Sequence, residues 1–406
     1  MNCFDVIKAP HILLPKKEVD YSAYAVIACD QYTSNLKYWK EIEELTLNKP
    51  STYHLMFPEA YLGKVDEEKY INQINSNIDR YLKDNILVDQ GECFVLVDRK
   101  TNVVERRLGL IISIDLEQYT YQKGIKSLIR ASEQTIVERI PPRLKIRENA
   151  SIELPHILFL FDDKEKTIVE ELYKNKDKYE KLYDFDLNHN SGHLTGYKIT
   201  NTDEIIDKFN KLLIKNDNGL LFIVGDGNHS LATAKAHWDK IKISLTEKER
   251  KVHPARYALV EAINIYDEGI IFEPIHRIIF NPNEDFLEGL RNKLTGDYKS
   301  YSYSKKDGKQ DLYMSQNAPM CYKIVQDYID EYLKNNKDAS VDYIHDEKEL
   351  IDVANKNSNS VALVMPSLTK DDVFDYIAND EVLPRKSFSM GHADEKRFYL
   401  ESKKIK

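Results

Sequence analysis

Apolar and polar positions along the chain follow two periods, which predict helices and strands in mixed order. Apolar residues recur at steps of three and four between residues 66 and 82, which is typical of a helix with one buried face. Residues 93–98, 103–106 and 108–115 are strand-like runs, and the polar stretch 99–102 predicts a hairpin. The first part of the chain is therefore expected to contain a helix followed by a strand-rich region.

Further elements are predicted in the second half. Asn201 and Glu204 have the spacing of a capping box, which predicts a helix that begins there. Residues 255–263 form an apolar run typical of a strand. The polar tract 301–319 predicts a loop or a boundary, and helical and strand patterns alternate after it. Such alternation favours a small α/β layer at the end of the chain.

A glycine-rich turn between two apolar elements is the most informative local pattern. The apolar run 220–224 precedes it and an alanine-rich helical pattern follows it, so a buried strand is expected to turn sharply into a helix. A helix N-terminus offers unpaired backbone donors, which suit a phosphate or a carboxylate. Asp226 could instead be an ordinary turn residue and Asn228 or Ser230 an N-cap, but the density of polar residues favours a binding site. In order, the turn contains Gly225, Asp226, Gly227, Asn228, His229 and Ser230.

Two other segments carry candidate ligands for an anion. Arginines cluster in residues 130–147, and guanidinium groups bind phosphate or carboxylate in a bidentate manner. A solvated helix face with surface ion pairs is the alternative explanation of this cluster. Near the end of the chain, residues 383–392 follow a predicted helix and are a second candidate segment. The candidate ligands are Arg130, Arg139, Arg143, Lys386 and Ser387.

Composition narrows the class of protein. The 406 residues are 42% apolar and carry a formal net charge of -9, which supports globular cores and disfavours a protein that coats nucleic acid. Neither a membrane-length apolar run nor an export signal is visible, so we expect a cytoplasmic protein without a membrane partner. The four cysteines form no C-x-x-C, which favours reduced thiols. His189 and His193 are interrupted by Gly192, so no histidine metal pair is predicted.

Taken together, four ordered blocks resemble a bacterial and archaeal family known as domain of unknown function 1015. They are residues 223–230, 133–147, 273–277 and 383–387. The glycine turn of that family resembles the Asp-Gly-His-His-Arg motif of archaeal free serine kinases, which have a ParB/sulfiredoxin-like fold and phosphorylate serine with ADP. This chain departs from the motif, because Asn228 replaces the first histidine and Ser230 replaces the arginine.

The resemblance implies an α+β protein with two parts. We expect a ParB/sulfiredoxin-like domain that binds phosphate and nucleotide over residues 1–280, followed by a smaller α/β portion over 281–406. It also implies that the turn binds phosphate. Because Ser230 stands where the motif has its arginine, the phosphate contact of that arginine would be either absent or supplied by Lys235 or by the arginines of residues 130–147.

The expected function is phosphoryl transfer, or phosphoester hydrolysis, on serine or O-phosphoserine. ADP or ATP and Mg²⁺ are the candidate cofactors. The candidate catalytic groups are Asp226, Glu133 and His229: a carboxylate would act as general base or bind Mg²⁺, and the histidine would donate a hydrogen bond or a proton. A small-ligand sensor or regulator with the same fold is the alternative, and homo-oligomer formation is left open. A sulfiredoxin-like redox enzyme would require a cysteine in the turn, and residues 220–238 contain none.

Overall fold

The computed structural model describes residues 2–122, 125–132, 135–216, 219–314, 317–379 and 382–406. Its strands, in chain order, are β1 (Ile7–Lys8), β2 (His11–Pro15), β3 (Val26–Ile27), β4 (Leu87–Glu92), β5 (Phe94–Lys100), β6 (Arg107–Asp115), β7 (Tyr119–Thr120), β8 (Ile129–Ala131), β9 (Ile152–Glu153), β10 (Leu158–Phe161), β11 (Glu180–Asp186), β12 (His193–Ile199), β13 (Phe222–Asp226), β14 (Tyr257–Asn264), β15 (Phe272–Pro274), β16 (His276–Phe280), β17 (Tyr298–Ser304), β18 (Gly308–Met314), β19 (Ser340–Ile344), β20 (Ser360–Leu363), β21 (Phe388–Met390), β22 (Phe398–Tyr399) and β23 (Lys403–Lys404).

The α-helices are interspersed with these strands, and short 3-10 helices such as Val137–Arg139 connect several elements. In chain order they are α1 (Tyr21–Tyr24), α2 (Leu36–Leu45), α3 (Glu67–Lys83), α4 (Ile140–Arg147), α5 (Val169–Lys174), α6 (Thr202–Asn216), α7 (Asn228–Ile241), α8 (Glu247–Val252), α9 (Phe286–Lys293), α10 (Ala318–Asn335), α11 (Glu347–Lys356) and α12 (Lys370–Ala378).

The chain divides into two compact units. The first comprises the residues up to Ala131, then Thr135–Ile270 and His392–Lys406. The second comprises Ile271–Gly391 together with Ser132. The second unit is thus inserted in the sequence of the first, whose last segment follows the insertion.

A large mixed sheet forms the framework of the first unit. Its strand order is β11-β12-β5-β6-β14-β10-β13-β8-β7, with β1 paired to β6. Most neighbours are antiparallel, but β10 pairs with β14, β13 with β8, and β7 with β8 in parallel. The structure therefore combines helices with a sheet of parallel and antiparallel strands, and the protein is α+β, as the sequence predicts.

Side chains that alternate between the two faces of the central strands form the buried cores of the first unit. Val95 and Val97 of β5 belong to one buried cluster, which also contains Trp39 and Tyr81. Phe94 and Leu96 of the same strand belong to a second buried cluster. Because side chains alternate in direction along a strand, one strand contributes to two separate cores. The aromatic members of the second cluster include Phe159, Phe161, Phe209, Phe222 and Trp238.

The second unit contains a five-stranded antiparallel sheet in the order β18-β17-β20-β16-β19. Leu350 and Ala354 of α11 pack on this sheet beside Ile278 of β16 and Ala362 of β20. The α/β alternation predicted for this part of the chain is present in β19, α11, β20 and α12.

Most strongly periodic segments adopt the predicted structure. The pattern at 66–82 forms α3, which Asp66 caps by accepting a hydrogen bond from the Lys69 amide. A hairpin pairs β5 with β6, but its connection is 101–106, so the strand predicted at 103–106 is wrong. The loop predicted within 301–319 is wrong in its first part, because β17 and β18 form a hairpin there. The buried positions of β17 are Ser300, Ser302 and Ser304, so this strand lacks the aliphatic pattern that marks the others.

None of the described helices is long and apolar enough to cross a membrane. Among the same residues, no group of three or more histidine, cysteine, aspartate or glutamate side chains is placed to hold a metal ion.

Candidate functional site

The predicted strand, turn and helix are present around Gly227. Strand β13 ends at Asp226, and Gly227 adopts φ +80° and ψ 24° before α7 begins at Asn228. A Cβ at residue 227 would lie 2.9 Å from the Cα of Ile157, so both the dihedral angle and the space require glycine. The first amides of α7, those of Asn228, His229 and Ser230, are the type of donor that binds an anion at a helix N-terminus.

Asp226 is the acidic residue of this turn. Its Oδ1 atom accepts a hydrogen bond from the Gly227 amide at 2.8 Å, and its Oδ2 atom lies 3.1 Å from Nζ of Lys396. Burial opposes ionisation of Asp226, but the charges of Lys396 and His156 and these hydrogen bonds outweigh it and lower the pKa. The carboxylate therefore stays ionised at neutral pH and is a weak base.

Lys396 reaches Asp226 because the last segment of the first unit is held in place. Arg99 of β5 donates hydrogen bonds to the carbonyl oxygens of Lys396 at 2.5 Å and Asp394 at 2.9 Å. Two residues later, β22 pairs with β3 in antiparallel orientation. The ammonium group thus comes from a fixed backbone rather than from a solvated chain end.

Arginines of residues 130–147 approach the turn from α4, which packs against α7. His229 accepts a hydrogen bond at Nε2 from the Ile136 amide at 3.3 Å. Burial lowers its pKa to about 4, and the charges of Arg143 and Arg139 contribute in the same direction. His229 is therefore neutral near pH 7, and its hydrogen lies on Nδ1.

Arg143 already has a carboxylate partner in this structure. One of its terminal nitrogens pairs with Glu59, and the other donates to the Arg139 carbonyl oxygen at 2.9 Å. The side chains of Arg143 and Glu59 are 21% and 20% exposed, so solvent and a ligand can still reach the pair. An incoming phosphate would have to share or replace the carboxylate of Glu59.

Asn228 and Ser230 occupy the two positions at which the chain departs from the kinase motif. Oδ1 of Asn228 is buried and finds no hydrogen-bond partner among the described residues. Oγ of Ser230 lies 3.1 Å from Nε2 of the buried His156. Asn228 thus has a spare acceptor, whereas the hydroxyl of Ser230 contacts an imidazole.

Other predicted residues lie elsewhere or outside the described part of the chain. Arg130 is buried on β8, next to β13, and its Nε donates to the Ser127 carbonyl oxygen at 3.1 Å. Lys235 pairs with Asp239 at 3.1 Å and with Glu117 at 3.8 Å, so its charge is used within and beside α7. Glu133 lies outside the described residues.

Lys386 and Ser387 belong to the second unit. Lys386 is exposed and has a positive φ of 59°, whereas Ser387 is buried and donates a hydrogen bond to the Pro384 carbonyl oxygen at 2.7 Å. These contacts are those of a tight turn. Gly225, the remaining predicted residue, is half-buried on β13 immediately before Asp226.

Several residues around the turn were not predicted from the sequence. His156 lies beside Ser230, and its Nε2 is 3.6 Å from Oδ2 of Asp30. Lys396 contacts Asp226, and Glu59 contacts Arg143. Asp30 carried the clearest signal, since it is the polar end of the apolar run 26–29.

Comparison with known proteins decides the family. A family model described as "Protein of unknown function (DUF1015)" matches residues 13–402. The chain belongs to this family. The match confirms the resemblance found in the sequence blocks, and it covers both compact units of the DUF1015 protein. A comparison with curated proteins finds no match.

Solved structures resemble the chain only loosely. A conserved hypothetical protein from Pyrococcus furiosus is 10% identical with a TM-score of 0.35, covering 73% of this chain and 95% of its own. A free serine kinase mutant in complex with ADP is 8% identical with a TM-score of 0.40, covering 71% and 91%. SbnI from Staphylococcus aureus, truncated at its C-terminus, is 10% identical with a TM-score of 0.38, covering 69% and 83%. Superpositions this loose establish neither a shared fold nor a shared activity.

Proposed function

We propose that this DUF1015 protein transfers a phosphoryl group to or from serine, or hydrolyses O-phosphoserine, at the turn around Gly227. The observation that supports the proposal most directly is the arrangement of charge there. A helix N-terminus meets the ionised Asp226, its partner Lys396, and the guanidinium groups of Arg139 and Arg143. Phosphoryl transfer depends mainly on positioning and on neutralising charge, and these are the groups it requires.

Serine as the acceptor comes from the resemblance of the glycine turn to the free serine kinase motif. ADP or ATP is proposed as the second ligand on the same basis. In this proposal the amides of Asn228, His229 and Ser230 bind the phosphate, and the arginines oppose its charge. Asp226 would hold Lys396 in position as a permanent carboxylate, because its lowered pKa makes it a weak proton acceptor.

The residues present fit Mg²⁺ only in part. Asp30, Glu59 and Asp226 supply carboxylates, but Glu59 is already ion-paired with Arg143, and Asp226 with Lys396. No metal-holding group of three acidic, histidine or cysteine side chains is found in the described ranges. Mg²⁺ prefers one or two carboxylates together with phosphate oxygens, so we propose that it enters bound to the nucleotide and neutralises phosphate charge.

We also propose the ParB/sulfiredoxin-like assignment for residues 1–280 and a smaller α/β portion within 281–406, from which His392–Lys406 are excepted because they belong to the first compact unit. The resemblance of the sequence blocks supports both. An experimental structure with a bound nucleotide would test the assignment, because the connectivity of the sheet around the turn could then be compared directly with ParB-like proteins.

The function is tested by assaying purified protein with serine and with O-phosphoserine, with Mg²⁺ and either AMP, ADP, ATP or no nucleotide. The proposal expects interconversion of serine and O-phosphoserine with at least one partner, or release of phosphate. Absence of turnover across the whole panel, combined with tight binding of a small ligand, would favour the sensor instead.

Replacing Arg143 by alanine should weaken the binding of O-phosphoserine by about tenfold or more, because a charge-assisted hydrogen bond contributes roughly 1.5–3 kcal/mol. Calorimetric titration measures the effect. Lys145→Ala is the matched control, since it removes one exposed positive charge from the same helix.

A second variant separates ligand binding from the existing ion pair. Glu59→Gln should strengthen binding, because it frees the guanidinium of Arg143 from a competing carboxylate. Equal affinity of Arg143→Ala and Lys145→Ala for O-phosphoserine would show that Arg143 does not face the bound phosphate.

A further inference from the structure

Ser230 and His156 form a pair that phosphate binding alone does not explain. Ser230 is the third residue of α7 and is half-buried, whereas His156 is buried in the segment that precedes β10. The 3.1 Å separation between Oγ and Nε2 is a hydrogen-bond distance. A serine hydroxyl bonded to an imidazole, which a third group orients, is the arrangement that activates a serine nucleophile.

Tyr399 provides the third group and determines which nitrogen of His156 carries the hydrogen. Its hydroxyl lies 2.7 Å from Nδ1 of His156 and donates to Sγ of Cys29 at 3.3 Å. Because a phenol has a single hydrogen, Nδ1 must donate to the Tyr399 oxygen. In neutral His156, Nε2 is then the acceptor, and Ser230 can donate its proton to it.

Burial keeps this chain of donors protonated. It raises the pKa of the Cys29 thiol to about 12 and that of the Tyr399 phenol well above its usual value. Neither group therefore ionises near neutral pH.

Two carboxylates lie where a positive charge on His156 would develop. Oδ2 of Asp30 is 3.6 Å from Nε2, and a positive charge on His156 would also interact favourably with the carboxylate of Asp226. When His156 accepts a proton at Nε2, both carboxylates stabilise the imidazolium that forms. The same atom that takes the proton from Ser230 thus lies close to its counter-charges.

We propose that Ser230 is a nucleophile, with His156 as its general base, and that it takes a phosphoryl group from a phosphate ester or a nucleotide. Oγ forms a bond to phosphorus while the bond from phosphorus to the leaving oxygen breaks, and that oxygen keeps the electron pair. The proton of Ser230 moves to Nε2 of His156, which returns it to the leaving oxygen. Water or a serine hydroxyl then forms a bond to phosphorus while the bond from phosphorus to Oγ breaks, and the proton of this second nucleophile passes through Nε2 of His156 back to Oγ. This inference rests on the proposed function for the identity of the donor, but the nucleophile can be tested without it.

The direct test uses diisopropyl fluorophosphate, which reacts with activated serines through loss of fluoride. Peptide mapping of the full chain should locate the adduct on Ser230, and Ser230→Ala should remove it. His156→Gln should slow labelling by on the order of 100-fold, which is the usual contribution of a general base. His237→Gln is the matched control, because it changes a different buried histidine, which lies on α7, and should label at the normal rate.

A more conservative variant tests the role of His156 with less disturbance of the fold. Tyr399→Phe keeps the buried ring but removes the oxygen that fixes the tautomer of His156, so labelling should slow while the thermal midpoint stays close to that of the parent protein. Labelling of Ser230 at the parent rate in both His156→Gln and Tyr399→Phe would overturn the role of His156. Absence of any adduct on Ser230 in the parent protein would overturn the nucleophile.

A second readout separates this inference from the proposed function. After incubation with ATP, ADP or O-phosphoserine and Mg²⁺, phosphopeptide mapping should find a phosphoryl group on Ser230. An adduct with diisopropyl fluorophosphate but no turnover of serine or O-phosphoserine would retain the nucleophile and reject the proposed function. Full turnover by Ser230→Ala would retain the function and reject the nucleophile, because the phosphoryl group would then pass directly between the ligands.

Discussion

Asp226→Asn should reduce turnover of serine and O-phosphoserine by about 100-fold or more, the usual effect of losing one electrostatic group in a transition state. Asparagine can still accept the hydrogen bond of the Gly227 amide at Oδ1, so the turn should keep its shape. It cannot balance the charge of Lys396, which lies 3.1 Å from Oδ2. The measurement is kcat/KM for the variant and the parent protein, together with the thermal midpoint of each.

The matched control for this variant is Asp239→Asn. Asp239 is also paired with lysines, Lys235 at 3.1 Å and Lys242 at 2.6 Å, but it lies near the other end of α7. Its loss should leave kcat/KM unchanged. If Asp226→Asn were as active as this control, turnover would not depend on the carboxylate that holds Lys396, and Glu133 would be the next carboxylate to test.

The largest expected effect on stability concerns Arg397. Its guanidinium is buried and pairs with Glu261 and Glu401, and its Nε donates to the Pro155 carbonyl oxygen at 3.1 Å. Arg397→Gln would leave two buried carboxylates without their counter-charge. We expect the free energy of unfolding to fall by about 3–5 kcal/mol, measured by urea denaturation.

A double comparison shows whether charge is the cause. Lys251→Gln removes an exposed lysine paired with Glu247, and it should cost about 1 kcal/mol or less. Adding Glu401→Gln and Glu261→Gln to Arg397→Gln should restore part of the stability, because the two carboxylates that lost the charge of Arg397 would then be neutral. If the triple variant were as unstable as Arg397→Gln, the decrease would come from packing rather than from charge.

The local elements of the site are readable from the sequence because their signals lie close together. Gly227 must be glycine for a reason of backbone geometry, and the apolar run before it and the helical pattern after it fix the strand and the helix. The same holds for α3, where the period of apolar residues and the cap at Asp66 coincide. The serine-faced strand β17 lacks such a signal, because its buried side chains are polar.

The partners of the turn could not be predicted in the same way. Lys396 is far from Asp226 in sequence, and His156 is far from Ser230. Only the sheet order and the pairing of β22 with β3 bring these residues together, and neither leaves a periodic signal. The arginines of residues 130–147 could be recognised from the sequence as possible anion ligands, but their partners could not. Nothing near Arg143 in the sequence indicates that it forms an ion pair with Glu59.

The order in which the chain is synthesised has a consequence for this site. Residues His392–Lys406 belong to the first unit, yet the ribosome makes them only after the whole of Ile271–Gly391. Domains generally fold as they emerge, and here the emerging first unit lacks Lys396, Arg397 and Tyr399 while the second unit is being translated. At this stage Glu261 lacks its ion-pair partner Arg397, and Asp226 lacks its partner Lys396. A nascent chain would therefore hold an incomplete, charge-unbalanced centre until translation passes residue 399, so ligand binding could begin only after that point.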